Sequence, residues 1–394
     1  MMDSLLIDGL AQTTLHPLNV RVNRAKGSYL HLENGRKILD FISGIGVSSF
    51  GHSHPDILKA IHHQVDQHLH VMVYGEFRQT AQDSAARNLL SLLPDALDAV
   101  YFLNSGAEAI DAAMKLARRT TQRQTIIGFS GGYHGNTMGA LSVSSNAARK
   151  QPFQPLVGDV KILEWNDPRS IPLINETVAA VIVETVQGDA GIRIPDAEWI
   201  QNLREQCTKV NAMLILDEIQ CGMGRTGRPF AFEHFDIVPD ALCLGKALGG
   251  GLPMGALIAS KVAMAQFASG PSLSHITTFG GHPVPCAASA VATSLLSQVD
   301  WARIERIGKA IEVNLVRFKM VQSVRRIGLY IAVQLESDEQ VQSVVHEALN
   351  QGVLIFFFLS TPDAFRIAPP LTISDEELND ALEGLNRTLE IVQS

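Results

Sequence analysis

Cysteine is scarce in this chain: four among 394 residues (Cys207, Cys221, Cys243 and Cys286), widely spaced and with no CxxC pair. That spacing argues against a disulfide frame or a zinc site and predicts free thiols in a reducing cytoplasm. Long apolar runs are missing too, and none approaches the roughly 20 residues a membrane helix needs. The opening MMDSLLIDGLAQTTLHPLNV has no positive charge before Arg21 and no sustained apolar core, so it does not read as a signal peptide. Runs of Lys or Arg are absent, and the net charge of −8 is scattered, which disfavours nucleic acid and anionic membranes as partners. Repeats and low-complexity tracts are also lacking. What remains is a globular composition, 46% hydrophobic and 18% charged, on a chain long enough for a large domain plus a smaller one.

Asn34-Gly35 stands between two alternating runs, SYLHLE and RKILDF, a pattern that predicts a β-hairpin with a type I′ turn. From about residue 55 strands alternate with amphipathic helices. Candidate strands are Val100 to Leu103, Ile126 to Phe129, Ala179 to Val183, Met213 to Leu216 and Ala241 to Leu244, apolar on both faces as in a buried parallel sheet. One helix places Ile110, Ala113, Met114 and Ala117 on one face; another starts near Pro195-Asp196 and buries Trp199, Ile200, Leu203, Cys207 and Val210. After about residue 295 an α+β unit follows. It has a helix, a strand from Ile327 to Leu335, a helix closed by Gly352, a run Val353 to Leu359, the segment Phe365-Arg366-Ile367, and a last helix opened by a Ser374/Glu377 capping box. The expected division is an α/β domain over 50–295 and a smaller α+β domain made of 1–49 and 296–394.

Three segments carry chemistry. In LILDEIQCGMGRTG a buried strand ends in Asp217 and Glu218, and ligands sit at strand carboxyl ends in open α/β sheets. Asp217 could pair with a protonated ring nitrogen, bind a metal, or cap the next element. Gly222-x-Gly224-x-x-Gly227 matches a dinucleotide fingerprint, but Pro229 follows at once, no amphipathic helix starts there, and acidic residues precede it; a turn fits better. In LGKALGGGLP, Lys246 ends an apolar strand before a glycine run. Desolvation lowers the pKa of such a lysine, which suits a Schiff base, and the glycines let something bulky approach; a snorkelling surface lysine is the plainer alternative. In FLNSGAEA a strand turns into a helix through Ser105-Gly106, where free amides could hold a phosphate dianion, or where Ser105 and Glu108 could simply form a capping box.

Taken together, these segments resemble the fold-type I, class III aminotransferases, the group containing acetylornithine, ornithine, 4-aminobutyrate and putrescine aminotransferases. The resemblance covers nearly the whole chain, from GIGV (Gly44–Val47) and GHSHP (Gly51–Pro55) through NSGAEA, GGYHG, ETVQG, LDEIQ, GMGRTG, GKALGGGLP and TTFGG to RIAPPL (Arg366–Leu371). It implies a mostly parallel seven-stranded sheet, pyridoxal 5′-phosphate as cofactor, and a homodimer with shared sites. By the same resemblance Lys246 would carry the cofactor and shuttle the proton, and Asp217 would pair with the pyridinium nitrogen. Gln220 would contact the phenolic oxygen, Tyr133 would stack on the ring with His134 beside it, and Glu184 would support the site. Ser105, Gly106 and Ala107 would bind the phosphate, reached also by Thr278 of the partner subunit. Val47, Asn136, Asp189 and Arg366 would face substrate.

Three positions depart from the family pattern. Asn136, in YHGNTMGALS, stands where acetylornithine, ornithine and 4-aminobutyrate enzymes usually have an arginine that grips a substrate carboxylate, and an amide cannot take over that charge. Putrescine-type enzymes also lack it and resemble this segment through GALS and the downstream Arg149-Lys150, Pro152-Phe153 and Pro155-Leu156, so a diamine or ω-amine donor is expected. Asp189 replaces the usual Glu that pairs with the arginine at Arg366, a pair that opens to admit an α-keto acid such as 2-oxoglutarate or pyruvate. His282 replaces an Asn. The pairs His52/His54, His62/His63 and His68/His70 lack a Cys or acidic partner at matching spacing and read as turn and helix-surface residues, so no metal is expected.

The expected activity is therefore ping-pong transfer of an amino group from an amine or amino acid to an α-keto acid. A racemase, epimerase or decarboxylase on the same fold is the alternative within enzymes. A regulatory protein that kept only the fold is disfavoured, because Lys246, Asp217 and Gln220 are all present.

Overall fold

The computed structural model describes residues 6, 7, 9–11, 13, 14, 17–73 and 75–394. Its centre is a seven-stranded sheet of β1 (Ala99–Leu103), β2 (Thr125–Phe129), β3 (Val160–Leu163), β4 (Val178–Glu184), β5 (Met213–Asp217), β6 (Ala241–Leu244) and β7 (Gly255–Ala259), in spatial order β1-β7-β6-β5-β4-β2-β3. All neighbours pair in parallel except at β7, which runs antiparallel to both β6 and β1. Every residue of β4, β5 and β6 is buried, as strands covered on both faces must be.

Two strands escape a pattern-based reading. β3, at the sheet edge, exposes its two middle residues and half-buries its ends, and β7, GALIA, is poor in β-formers and continues a glycine-rich stretch. Gly255 is required there: a Cβ on it would collide with the Ser105 carbonyl. Helix α1 (Gly106–Thr121) buries Ile110, Ala113, Met114 and Ala117, and α2 (Ala197–Val210) buries Trp199, Ile200, Leu203, Cys207 and Val210. Both helices therefore lie with the faces their apolar periodicity indicates.

The hairpin around Asn34-Gly35 forms between Tyr29–Leu32 and Lys37–Asp40, but its turn is not type I′. Only Gly35 takes a positive φ (83°); its N–H donates to Leu32, and Leu32 N–H donates to Arg36 across a three-residue loop. The expected strand Ile327–Leu335 is a second hairpin instead. Gly328, at φ 56°, turns Ser323–Ile327 into Tyr330–Gln334. A Cβ at Gly328 would run into the Thr226–Gly227 backbone, which ties this turn to the main sheet. The run Val353–Leu359 divides between sheets: Val353–Leu354 pairs in parallel with Lys37–Asp40, and Phe356–Phe357 pairs with Ala364–Ile367. The N-terminal hairpin and the C-terminal stretch thus share one sheet.

That shared unit is fastened over the main sheet. The Ser43 hydroxyl donates to the Ala368 carbonyl at 2.7 Å, and the buried Arg225 donates to the carbonyls of Pro369 (2.6 Å) and Leu329 (3.2 Å) and to the Ser49 hydroxyl (3.2 Å). Burial pushes the Arg225 guanidinium down to about 10, with Tyr330 and the Asp40 carboxylate opposing the shift. The GMGRTG glycines form the turn that delivers Arg225: Gly224 and Gly227 sit at φ 89° and 86° and bond through Pro229 and Gly224 carbonyls. Among the described residues no helix is long and apolar enough to cross a membrane, and no group of three or more His, Cys, Asp or Glu could hold a metal.

Candidate active site

Five strands deliver their carboxyl ends to one edge of the sheet. β1 leads into Asn104-Ser105-Gly106, β2 into the loop carrying Tyr133 and His134, β4 ends at Glu184, β5 at Asp217, and β6 runs into Gly245-Lys246. Because β4 and β5 pair Glu184 with Asp217, and β5 and β6 pair Asp217 with Cys243, the acidic ends and the lysine are placed side by side by register alone. They line a cavity of about 490 Å³ with Val47, Ser105, Gly106, Ala107, Tyr133, His134, Asn136 and Gln220. Eleven of the expected site residues therefore meet in one place. Asp189 and Arg366 stand just outside its walls, and Thr278 is exposed on the surface of its own chain.

Lys246 sits at φ 45°, a left-handed conformation that costs a non-glycine residue about 1 kcal/mol or more and is seen where a site demands it. Desolvation lowers its ammonium pKa, opposed by Asp217 and Glu184 and assisted by Arg366. Its Nζ makes no hydrogen bond among the described residues. Asp217 Oδ1 accepts the Ile219 amide at 3.0 Å, and Oδ2 faces His134 Nδ1 at 2.7 Å. His134 is buried; desolvation opposes its protonation, but the hydrogen bond and charge of Asp217 outweigh that and raise its pKa. The imidazole thus contacts Asp217 directly, and both it and Tyr133 line the cavity. Glu184 accepts the amides of Tyr133 (3.0 Å) and Gly188 (2.9 Å), and burial pushes its carboxyl up to about 7.

At the start of α1 the Ser105 hydroxyl accepts the Glu108 amide at 3.2 Å, while the Glu108 carboxylate bonds Asn104, not Ser105. The capping box is therefore half made, and the first-turn amides of Gly106 and Ala107 have no partner within the helix. Gly106 is also sterically fixed, since a Cβ there would come within 2.7 Å of Ile219. Residues 44–47 close the cavity from the N-terminal side: a Cβ at Gly46 would meet Gln220 at 3.6 Å and Lys246 at 4.0 Å.

Sequence reasoning noted Glu218 and His282 without assigning their roles, and it missed Tyr330. Glu218, next to Asp217, points away from the cavity and accepts Thr185 Oγ1 and the amides of Ala231 and Phe232 at 2.7–2.8 Å. The Tyr330 hydroxyl is buried without a partner among the described residues, close to Gly188 and Gln220. No local motif marks it; only the turn at Gly328 brings it there. His282 is explained as a cap, its Nδ1 accepting the Val284 amide at 3.3 Å at the start of helix Pro283–Leu296, the work an Asn side chain would do.

The arrangement suits a phosphorylated pyridine aldehyde. A desolvated lysine stands ready for an aldehyde carbon, an acid held by His134 can face a ring nitrogen, and a half-capped helix start can receive a phosphate. His134 Nε2, buried and without a partner, belongs to the same dry wall. Residues 10–389 match the model of the class III aminotransferase family. The chain is 40% identical to acetylornithine aminotransferase of Methanopyrus kandleri over 96% of this chain and 97% of that one, and 35% identical to the Bacillus subtilis enzyme of the same name over 94% and 95%. Its fold overlays that of ornithine aminotransferase from Toxoplasma gondii, crystallised with partial occupancy of pyridoxal phosphate, with a TM-score of 0.89 at 28% identity, over 97% of this chain and 92% of that one. The chain belongs to the class III aminotransferases, and its cofactor is pyridoxal 5′-phosphate.

Proposed function

We propose that this enzyme takes the amino group from a terminal amine, of an ornithine-like amino acid or a diamine, and passes it to an α-keto acid such as 2-oxoglutarate or pyruvate. When bound, the cofactor supplies the carbonyl that receives the nitrogen and the ring that withdraws electrons from the reacting carbon. The chain's residues do the rest. Lys246 Nζ would hold the cofactor and, when free, would carry the proton between the two reacting carbons; desolvation lowers its pKa, which favours the neutral amine that such a transfer needs. Asp217, positioned by His134, would pair with the ring nitrogen and keep it protonated. Ser105, Gly106 and Ala107 hold the phosphate, with Thr278 of the partner subunit reaching it in a homodimer.

The observation that carries the two-substrate reading is the pair of Arg366 and Asp189. Arg366 Nη2 lies 3.4 Å from Asp189 Oδ1, both side chains are buried, and the Arg366 charge is felt at Lys246. A buried guanidinium already matched to a carboxylate can exchange that partner for the carboxylate of an incoming keto acid. A racemase or decarboxylase, which has one substrate, would gain nothing from such a pair. Purified, cofactor-loaded enzyme given N-acetylornithine, ornithine or putrescine alone should lose the visible band of the lysine-bound cofactor, and 2-oxoglutarate should restore it. Loss of carbon dioxide, or racemisation with no keto acid present, would rule the reading out.

A further inference from the structure

Asp189 serves more than one cation. Its Oδ1 accepts the Leu359 amide at 2.9 Å and faces Arg366 at 3.4 Å; its Oδ2 accepts the Ser360 hydroxyl at 2.6 Å and lies 3.7 Å from Nη1 of Arg149. One buried carboxylate is thus shared by two guanidiniums, and the three groups together carry one uncompensated positive charge. Arg366 is the enclosed member, at 7% side-chain exposure, and Arg149 the accessible one, at 30%. The 3.7 Å approach is an ion pair without a hydrogen bond, and the Arg149 guanidinium donates none among the described residues.

Hydrogen bonds hold the backbone that carries Arg149. Its amide donates to Asn146 Oδ1 at 3.2 Å, and the neighbouring Lys150 ammonium donates to the Ser142 and Ser144 carbonyls at 2.8 and 3.0 Å. Ser144 in turn accepts the His134 amide at 2.9 Å through its hydroxyl. The arginine is therefore fastened to the same segment that carries Tyr133, His134 and Asn136. Both charges lie near Tyr133, a ring that lines the cavity: burial raises the phenol's pKa first, the Asp189 charge raises it further, and Arg149 opposes both.

We propose that Arg149 is a specificity-determining residue that receives a carboxylate carried by the amino donor at the end remote from the reacting amine. The inference rests on the terminal-amine reading above and deepens it: the donor is an ω-amino acid of the ornithine type, free or N-acylated, and not a plain diamine. Asn136 lines the cavity without a charge, so the anion is caught one step outward, by a cation with idle donors and a share in Asp189. Arg366 stays paired through the donor half of the cycle and opens for the keto acid. Each half-reaction then has its own guanidinium, with Asp189 as the common counter-charge.

N-acetyl-L-ornithine and N-acetylputrescine differ only in the carboxylate and separate the possibilities. On cofactor-loaded enzyme, the first half-reaction of the wild type should saturate at lower concentration with the acetylornithine. Arg149→Ala should raise the half-saturating concentration of acetylornithine about tenfold or more, the loss of one charge-assisted contact, and that of acetylputrescine less than twofold. Arg149→Lys should recover part of the difference, and the return half-reaction with 2-oxoglutarate should stay within twofold. An intact cofactor band in each variant shows that the site is folded. A wild type indifferent to the carboxylate, or an Arg149→Ala variant that loses both donors alike, overturns the inference and leaves the terminal-amine reading standing. A wild type that reacts with no terminal amine brings down both.

Discussion

A buried carboxylate needs partners, and Asp217 has two among the described residues, the Ile219 amide and His134. The histidine is the costlier one, since it is buried and leaves Nε2 without a partner among the described residues. That expense makes sense if Asp217 must present a full negative charge to a ring nitrogen. Asp217→Asn should keep the cofactor bound yet slow turnover about a hundredfold or more, the scale of losing one preorganised electrostatic partner; rates near wild type would show that the ring nitrogen is not its target. Lys246 and Asp217 could be read in the sequence because each ends an apolar run, where a charge is expensive and so conspicuous. Arg149 and Tyr330 could not. Each reaches the site through a contact between segments far apart in the chain, Arg149 with Asp189 and Tyr330 with Gly188 and Gln220.

Among the elements, the β5 exit does two jobs with adjacent acids. Asp217 faces the cavity, while Glu218, on the other side of the chain, clamps Thr185 and the amides of Ala231 and Phe232. Burial pushes the Glu218 carboxyl up to about 7, although those three hydrogen bonds oppose it. A carboxyl whose folded pKa lies above its unfolded value contributes stability that is full at pH below about 4.5 and is lost as pH rises through about 7. Glu218→Gln removes that titration. Between pH 5 and 8 the unfolding free energy of the variant, measured by denaturant titration, should therefore improve relative to wild type by up to a few kcal/mol. A gap that does not change with pH would mean Glu218 stays ionised throughout. The elements that defied pattern reading also have physical reasons. β7 begins with Gly255 because the β1–α1 joint passes too close for a side chain, and that need overrides β-propensity. The Asn34-Gly35 hairpin is legible in its strands but not in its turn, since only Gly35 enters the left-handed region.

At the scale of the molecule, one face is unfinished. Leu69, Met72, Phe77, Leu273, Ile276 and Phe279 are all more than 45% exposed, and His70 packs its ring against Phe279 at 5.2 Å, which brings the two segments together. Leu69 and Phe279 share the walls of a cleft with Leu103, Asn104 and Pro253, residues at or next to the Ser105-Gly106 end of the active-site cavity. An apolar surface of this kind favours burial against another protein surface. Thr278 is exposed in the middle of it and does not line its own chain's cavity, which leaves its expected role at a partner's phosphate to be tested by substitution. The family resemblance implies a shared dimer site with Thr278 in it, but the apolar face itself is not legible in the sequence, where its residues are scattered among polar ones and resemble ordinary loop. Two substitutions separate assembly from chemistry. Phe279→Glu puts a charge in the apolar face and should shift the protein from dimer to monomer in sedimentation while weakening cofactor retention. Thr278→Ala should leave the dimer intact and weaken pyridoxal phosphate binding several-fold, the value of one hydrogen bond to a charged group. A fully active monomer would sink the shared site, and a Thr278→Ala dimer with unchanged cofactor affinity would assign the phosphate to Ser105, Gly106 and Ala107 alone.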